Sequence, residues 1–182
     1  MTTELFAGHL VRLIAADKEK DAELFGLWNR DSDYIRLLDI GPSHLYPNKQ
    51  IQDWIEESGE GQSNFVIATL AEDKRIGSIG LEDFNWTSRS AWVGIGIGDP
   101  EYRGKGYGTE AMQLVFRYAF TELNLHRVNL GVFDFNKRAI RSYEKCGFKY
   151  EGTEREFIYK DDQRWDVFNM GILHSEWEAL QG

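Results

Sequence analysis

The sequence contains one cysteine, Cys146, so an intramolecular disulfide is excluded and a reducing compartment fits. Its four histidines, His9, His44, His126 and His174, lie far apart and lack metal-ligand spacing, so no metal is expected. No apolar run approaches the length of a membrane span, and the opening MTTELFAGHL has no basic leader; a cytosolic protein with no membrane partner is expected. Cationic excess is also missing. The net charge of −9 argues against non-specific binding to a nucleic-acid backbone and suits a cationic substrate. An ordinary acidic globule would carry the same charge. There is no internal repeat, linker or low-complexity tract. What is present, 42% hydrophobic and 14% aromatic residues in a chain of 182, suits one folded domain, 1–182, with a real core.

The most informative stretch is Ala91 to Glu110, AWVGIGIGDPEYRGKGYGTE. Ala91, Val93, Ile95 and Ile97 alternate with Trp92, Gly94, Gly96 and Gly98, the period of a β-strand with one apolar and one nearly bare face. Asp99-Pro100 ends the strand, because proline brings no N–H to a ladder. Arg103-Gly104-Lys105-Gly106-Tyr107-Gly108-Thr109 then leads into a helix. Glycines here let successive amides turn toward one point at a helix N-terminus, where the macrodipole favours an anion. Lys105 is followed by Gly106, so the nucleoside-triphosphate loop fails, and the order G-x-G-x-G is a poor dinucleotide fingerprint. Two readings stand: a phosphate cradle, or a tight turn that lets a helix pack closely.

Around this stretch, His9 to Ile14 reads as a strand. Asp17 is positioned to cap a helix over Lys20 to Arg30, and Ile51, Trp54 and Ile55 give another, stopped near Gly59 and Gly61. The intervening Asp31 to Asn48 reads as a polar, aromatic-bearing segment. Phe65 to Leu70, Ile76 to Phe84 and Ser90 to Gly98 are strands with hairpin-length connections. Ala111, Met112, Val115, Phe116, Ala119, Phe120 and Leu123 form the apolar face of the helix after the loop, opposite the polar Glu110, Gln113, Arg117 and Thr121. Val128, Leu130 and Val132 mark the next strand, parallel through a right-handed crossover. Asn136 caps a short helix carrying Ile140 and Tyr143 and closed by Gly147; a hairpin follows, Phe148 to Lys160 and Trp165 to Leu173. The expected class is mixed α/β (α+β): a mostly antiparallel central sheet with one parallel crossover, flanked by helices.

Arg103-x-x-Gly106-x-Gly108 after a strand, followed by Asn136-x-x-Ala139-Ile140-x-x-Tyr143-x-x-x-Gly147-Phe148, resembles the GNAT superfamily of acyl-CoA-dependent N-acetyltransferases. The likeness extends to the closing Asp166-x-x-x-Met170-Gly171-Ile172-Leu173. It is nearest the branch of ribosomal-protein N-terminal and spermidine acetyltransferases, whose second group the run Tyr118 to Leu125 resembles. The resemblance implies acetyl-CoA as cosubstrate, with its pyrophosphate on the amides of Arg103, Gly104, Lys105, Gly106, Tyr107, Gly108 and Thr109. It implies pantetheine pairing along Gly96, Ile97 and Gly98, a contact from Asn136, Tyr143 as general acid, and often a homodimer. Trp92 departs from it, since many relatives carry an acid there.

The residues themselves add a need for a proton acceptor, because an alkyl ammonium must lose a proton before its nitrogen can attack. Glu82 and Asp83, late in the strand before the motif strand, are the candidates; alternation lets only one face the site, and Glu82 is preferred. Trp28, Tyr34, Tyr46 and Trp54, with Asp31, Asp33 and Asp39, either line an acceptor pocket or belong to core and surface. Cys146 reads as small buried filler. The expected activity is acetyl transfer to a primary amine, on a protein N-terminus or a small cationic, polyamine-like molecule. The alternative is a non-catalytic acyl-CoA-binding sensor or docking module.

Overall fold

The computed structural model describes residues 4–57 and 62–182. Its sheet has seven strands: β1 Val11–Ile14, β2 Ser63–Thr69, β3 Arg75–Asn85, β4 Ser90–Ile97, β5 Arg127–Phe133, β6 Lys149–Lys160 and β7 Gln163–Leu173. They stand in the order β1-β2-β3-β4-β5-β7-β6, antiparallel except for β4 beside β5. The crossover between those two is helix α4, Tyr107–Arg117, which continues as a π-helical turn over Tyr118–Glu122. The last strand enters the sheet between β5 and β6, so β6 is one edge and β1 the other.

The apolar stripe expected on α4 is the centre of the core. Ala111, Met112, Val115, Phe116, Ala119 and Phe120 are all buried, against Ile79 and Leu81 of β3, Val93 of β4, Val128 and Leu130 of β5, and Ile172 of β7. The polar stripe also has structural duties. The Glu110 carboxylate accepts hydrogen bonds from the amides of His9, Leu10 and Val11, at 2.7–2.9 Å, and so satisfies the start of β1. The Arg117 guanidinium donates to the carbonyls of Glu4, Leu5 and Ala7.

Helices α1 (Lys18–Trp28), α2 (Ser32–Leu38) and α3 (Asn48–Glu57) lie against the opposite face. Asp17 caps α1 by accepting from the amides of Glu19 and Lys20. The expected stop of α3 near Gly59 and Gly61 falls outside the described residues. Helix α2 occupies part of the segment read as polar and aromatic-bearing. Its start is signalled by Asp31, which accepts from the amides of Asp33 and Tyr34. Helix α5, Lys137–Lys145, is capped by Asn136, whose Oδ1 accepts from the Ala139 amide at 3.2 Å. A short α6, His174–Ala179, continues directly from β7, beyond the last element read from the sequence.

The sheet is irregular at its parallel pair. β4 and β5 pair only over Ser90–Arg127, Ala91–Val128 and Trp92–Asn129. Beyond Trp92 the two strands part, and β4 runs on to Ile97 with a ladder partner in β3 alone. A parallel pair that opens in this way leaves backbone donors and acceptors facing a wedge.

Candidate active site

The bare face of β4 is bare because side chains from the helices fill it. A Cβ at Gly98 would overlap the indole of Trp28, and one at Gly96 would collide with the Tyr34 hydroxyl and Leu38. Small residues there let α1 and α2 approach the strand. Ile95 and Ile97, on the other face, border the start of α4.

The loop between β4 and α4 begins with Asp99, which accepts from the Glu101 amide, and makes a single tight turn over Pro100–Tyr102. Gly104 and Gly106 then take φ of +74° and +93°, a region costly for residues with a Cβ. Gly106 is the N-cap of α4 and no side chain caps the helix. The first amides of such a helix have no intrahelical acceptor and carry the positive end of its dipole. Gly104, Gly106, Gly108 and Thr109 line a cavity of about 870 Å³. Across it stand Lys137, Arg138, Arg141 and Lys145 of α5. Thr109 Oγ1 and Ser142 Oγ, 3.0 Å apart, tie the two helices together. An uncapped helix start facing four cations, in a protein of net charge −9, fits a polyanionic ligand such as the phosphates of CoA.

The expected cofactor residues divide on inspection. Gly96, Ile97, Arg103, Gly104, Gly106, Gly108, Thr109 and Asn136 line this cavity, whereas Gly98, Lys105 and Tyr107 do not. Gly98 lies under Trp28, and Tyr107 packs edge-on against Tyr102. The Arg103 side chain turns back. Its Nε donates to the Ile97 carbonyl at 2.8 Å, its Nη2 to the Gly98 carbonyl at 2.7 Å, and it pairs with Asp31 at 3.0 Å. Arg103 thus holds the strand end and the start of α2. The four α5 cations are absent from the residues expected at the site, although their spacing along one short helix was visible in the sequence.

A second cavity, about 530 Å³, lies between the sheet and α1–α3. Phe25, Ile51, Trp54 and Ile55 wall it on the helix side, and Ser78, Gly80, Glu82 and Gly94 lie on the sheet side. Leu37, Leu38, Ile95, Gly96 and Tyr143 line both cavities, so the two meet there. Tyr143 is half-buried on α5, edge-on to Phe148 at 5.9 Å between ring centres. Burial, with the neighbouring Cys146, pushes its phenol up to about 12, so it stays protonated.

Glu82 lines the second cavity and Asp83 does not. Alternation along β3 separates them: Glu82 shares the face of Ser78 and Gly80, which line the same cavity, and the register against β4 shifts only after Glu82, where Asp83 takes a left-handed φ of +52°. Partial burial, then the nearby Asp83 and Asp39, raise the Glu82 carboxyl above its ordinary value. Of the aromatic and acidic residues considered for an acceptor pocket, Trp54 lines the second cavity; Tyr34 and Asp33 line the first, and Tyr46 packs on Trp54 at 4.6 Å. Leu37 and Leu38, which join the cavities, carried no signal beyond ordinary apolar residues. Cys146 is buried, its thiol raised to about 12 by desolvation, and its Sγ is 3.8 Å from the Thr109 carbonyl.

Comparison with known proteins agrees with this geometry. Residues 11–149 match the family model of the acetyltransferase (GNAT) domain. The chain is 35% identical over 130 residues to spermidine N(1)-acetyltransferase of Vibrio cholerae, covering 71% of this chain and 70% of that one. It is 31% identical over 135 residues to a putative ribosomal N-acetyltransferase of Bacillus subtilis, covering 74% and 72%. A crystal structure of spermidine N-acetyltransferase from Vibrio cholerae in complex with CoA and spermine has a TM-score of 0.83 to it at 26% identity, over 92% of this chain and 98% of that one. With its wedge between β4 and β5, its uncapped α4 and its match from Val11 to Lys149, this chain belongs to the GNAT acetyltransferase family and is an N-acetyltransferase that takes its acetyl group from acetyl-CoA.

Proposed function

We propose that the acceptor is a small primary amine held in the cavity between the sheet and α1–α3, with Glu82 and Tyr143 as the reacting protein groups. The observation that carries this reading is the meeting of the two cavities at Tyr143. A volume of about 530 Å³ is that of a small-molecule site, which favours a small amine over a protein N-terminus. Two similar proteins being spermidine acetyltransferases supports the same choice. A cytosolic setting, suggested by the lone cysteine, and a homodimer, to be checked by sedimentation, belong to the same proposal.

Acetyl-CoA supplies an activated thioester. The amine nitrogen, as its free base, adds to the thioester carbonyl, and the C–S bond breaks as the amide forms. Glu82 takes the proton the nitrogen gives up, directly or through water. The open stretch of β4 beyond Trp92 offers amide donors for charge on the carbonyl oxygen, each worth roughly 3–4 kcal/mol in such sites. Tyr143, with a pKa of about 12, is a weaker acid than a thiol of about 8.5. Its phenol therefore stabilises the departing sulfur first as a hydrogen-bond donor, and water completes the protonation.

The test is thiol release from acetyl-CoA with polyamines, simple alkyl and aryl amines, amine-bearing antibiotics and N-terminal peptides as acceptors. Release that depends on a small amine and falls by about 10²–10⁴ in Tyr143→Phe supports the proposal. Response to peptides alone would replace the small amine with a protein N-terminus. Tight acetyl-CoA binding with no acceptor response would favour a binding module.

A further inference from the structure

The acceptor cavity has a charge balance that narrows the class of amine, an inference that rests on the proposed acetyl transfer in that cavity. Among the described residues Glu82 is the one carboxylate lining it, and no lysine, arginine or histidine lines it. The other polar side chains there are Asn64, Ser78 and the Tyr143 phenol. Everything else is glycine or apolar, with Phe25, Leu37, Ile51 and Trp54 giving broad apolar walls. Asp83 and Asp39 act on the Glu82 carboxyl from outside the lining.

A single carboxylate can pair one ammonium. A second or third ammonium on the same molecule, if it entered this cavity, would lose its water against leucine, isoleucine and aromatic surface with no second carboxylate among the described lining residues to pair it, which is strongly unfavourable. An apolar chain or ring in its place would gain by leaving water. We propose that the site is built for a monoamine with an apolar body, an alkyl or arylalkyl amine, and discriminates against polycationic chains.

The experiment compares amines that differ in one group. Hexylamine and hexamethylenediamine share a chain length and differ by one ammonium; phenethylamine and spermidine extend the comparison. Each is measured with the full chain in two ways: acetyl-CoA turnover, and calorimetric binding in the presence of CoA, which does not depend on chemistry. The expected result is hexylamine favoured over hexamethylenediamine by about tenfold or more in both, because the cavity leaves the second ammonium unpaired. Tighter binding or faster turnover of the diamine or spermidine overturns the inference while leaving the transferase reading intact. Preferential binding of hexylamine without turnover of any amine supports the charge argument and sinks the transfer proposal. Failure of every amine to bind overturns the inference. Trp54→Glu, at the exposed side of the cavity, adds a second carboxylate and should shift the preference toward the diamine; an unchanged ratio would count against the inference.

Discussion

Burial raises both groups proposed to react, Tyr143 and Glu82, and the sign of the effect separates them. Tyr143, up to about 12, is protonated throughout any practical assay, so it should contribute no inflection to the pH–rate profile. Glu82 accepts a proton only when ionised, so kcat/KM should fall as pH drops through its raised pKa, and Glu82→Gln should lower the rate about 10- to 100-fold and remove that limb. Stability runs the other way. A carboxyl raised in the folded state keeps a proton that the unfolded chain has lost, so its contribution to stability is present below the ordinary value of 4.5 and falls as pH rises through the raised one. Urea melts at neutral pH should therefore find Glu82→Gln at least as stable as the parent; a clear loss would mean that Glu82 has a structural partner. Cys146 is raised and buried as well, with no role in direct transfer. Its thiol should resist alkylation in the native protein and react at the ordinary rate in urea, and rapid native labelling would contradict its packing.

Helix α2 carries Leu37 and Leu38 into both cavities, and it is held at both ends by side chains from elsewhere. Arg103 bonds the strand end and pairs with Asp31 at its start, while the Lys160 ammonium donates to the Arg36 and Asp39 carbonyls at its finish, at 2.6 and 2.7 Å. Asp31→Asn keeps a good N-cap and loses the ion pair. Because that pair is partly exposed its effect on stability should be under about 1 kcal/mol, and the change should be seen in a raised KM for the amine with acetyl-CoA KM nearly unmoved. Equal changes in both constants would show that Arg103 supports the cofactor loop more than the helix. Glu110 is a contrasting case. Its carboxylate serves three amides at the start of β1, and Glu110→Ala leaves them without it, so thermal unfolding should register a loss of about 2 kcal/mol or more.

Seen across all the described residues, the fold sets a cationic cavity wall into an acidic protein. Lys137, Arg138, Arg141 and Lys145 face the start of α4 while the chain as a whole carries −9. In the proposed site CoA would join α4, α5 and the β4 edge, and a ligand that binds only the folded form stabilises it by mass action. CoA at about 100 times its Kd should add roughly 2.7 kcal/mol and raise Tm accordingly. Arg141→Ala should reduce that shift, and more so at low salt, where exposed charges are less screened. No shift with saturating CoA would contradict the assignment of the larger cavity.

Much of this was legible in the order of residues. The β4 alternation, the glycine loop, the α4 stripe and the Asn136 cap arise from local rules of period, backbone freedom and capping, so the class of fold, the parallel crossover and the position of the glycine loop followed from them. The α2 and α6 helices escaped because each is short and takes its stability from contacts distant in sequence, such as Lys160 on the end of α2. Glu82 faces the cavity by simple alternation with Ser78 and Gly80, whereas the bulge that follows it, with Asp83 at a left-handed φ, is a feature of strand register that neither residue encodes alone. Arg103 shows the same division: its place in the motif was plain, yet its guanidinium turned to carbonyls and to Asp31, because those unpaired acceptors exist only once β4 and α2 have come together. Local pattern fixes elements, since its physics is short-range; the meeting of two cavities at Tyr143 depends on where strands part, and only the assembled sheet determines that.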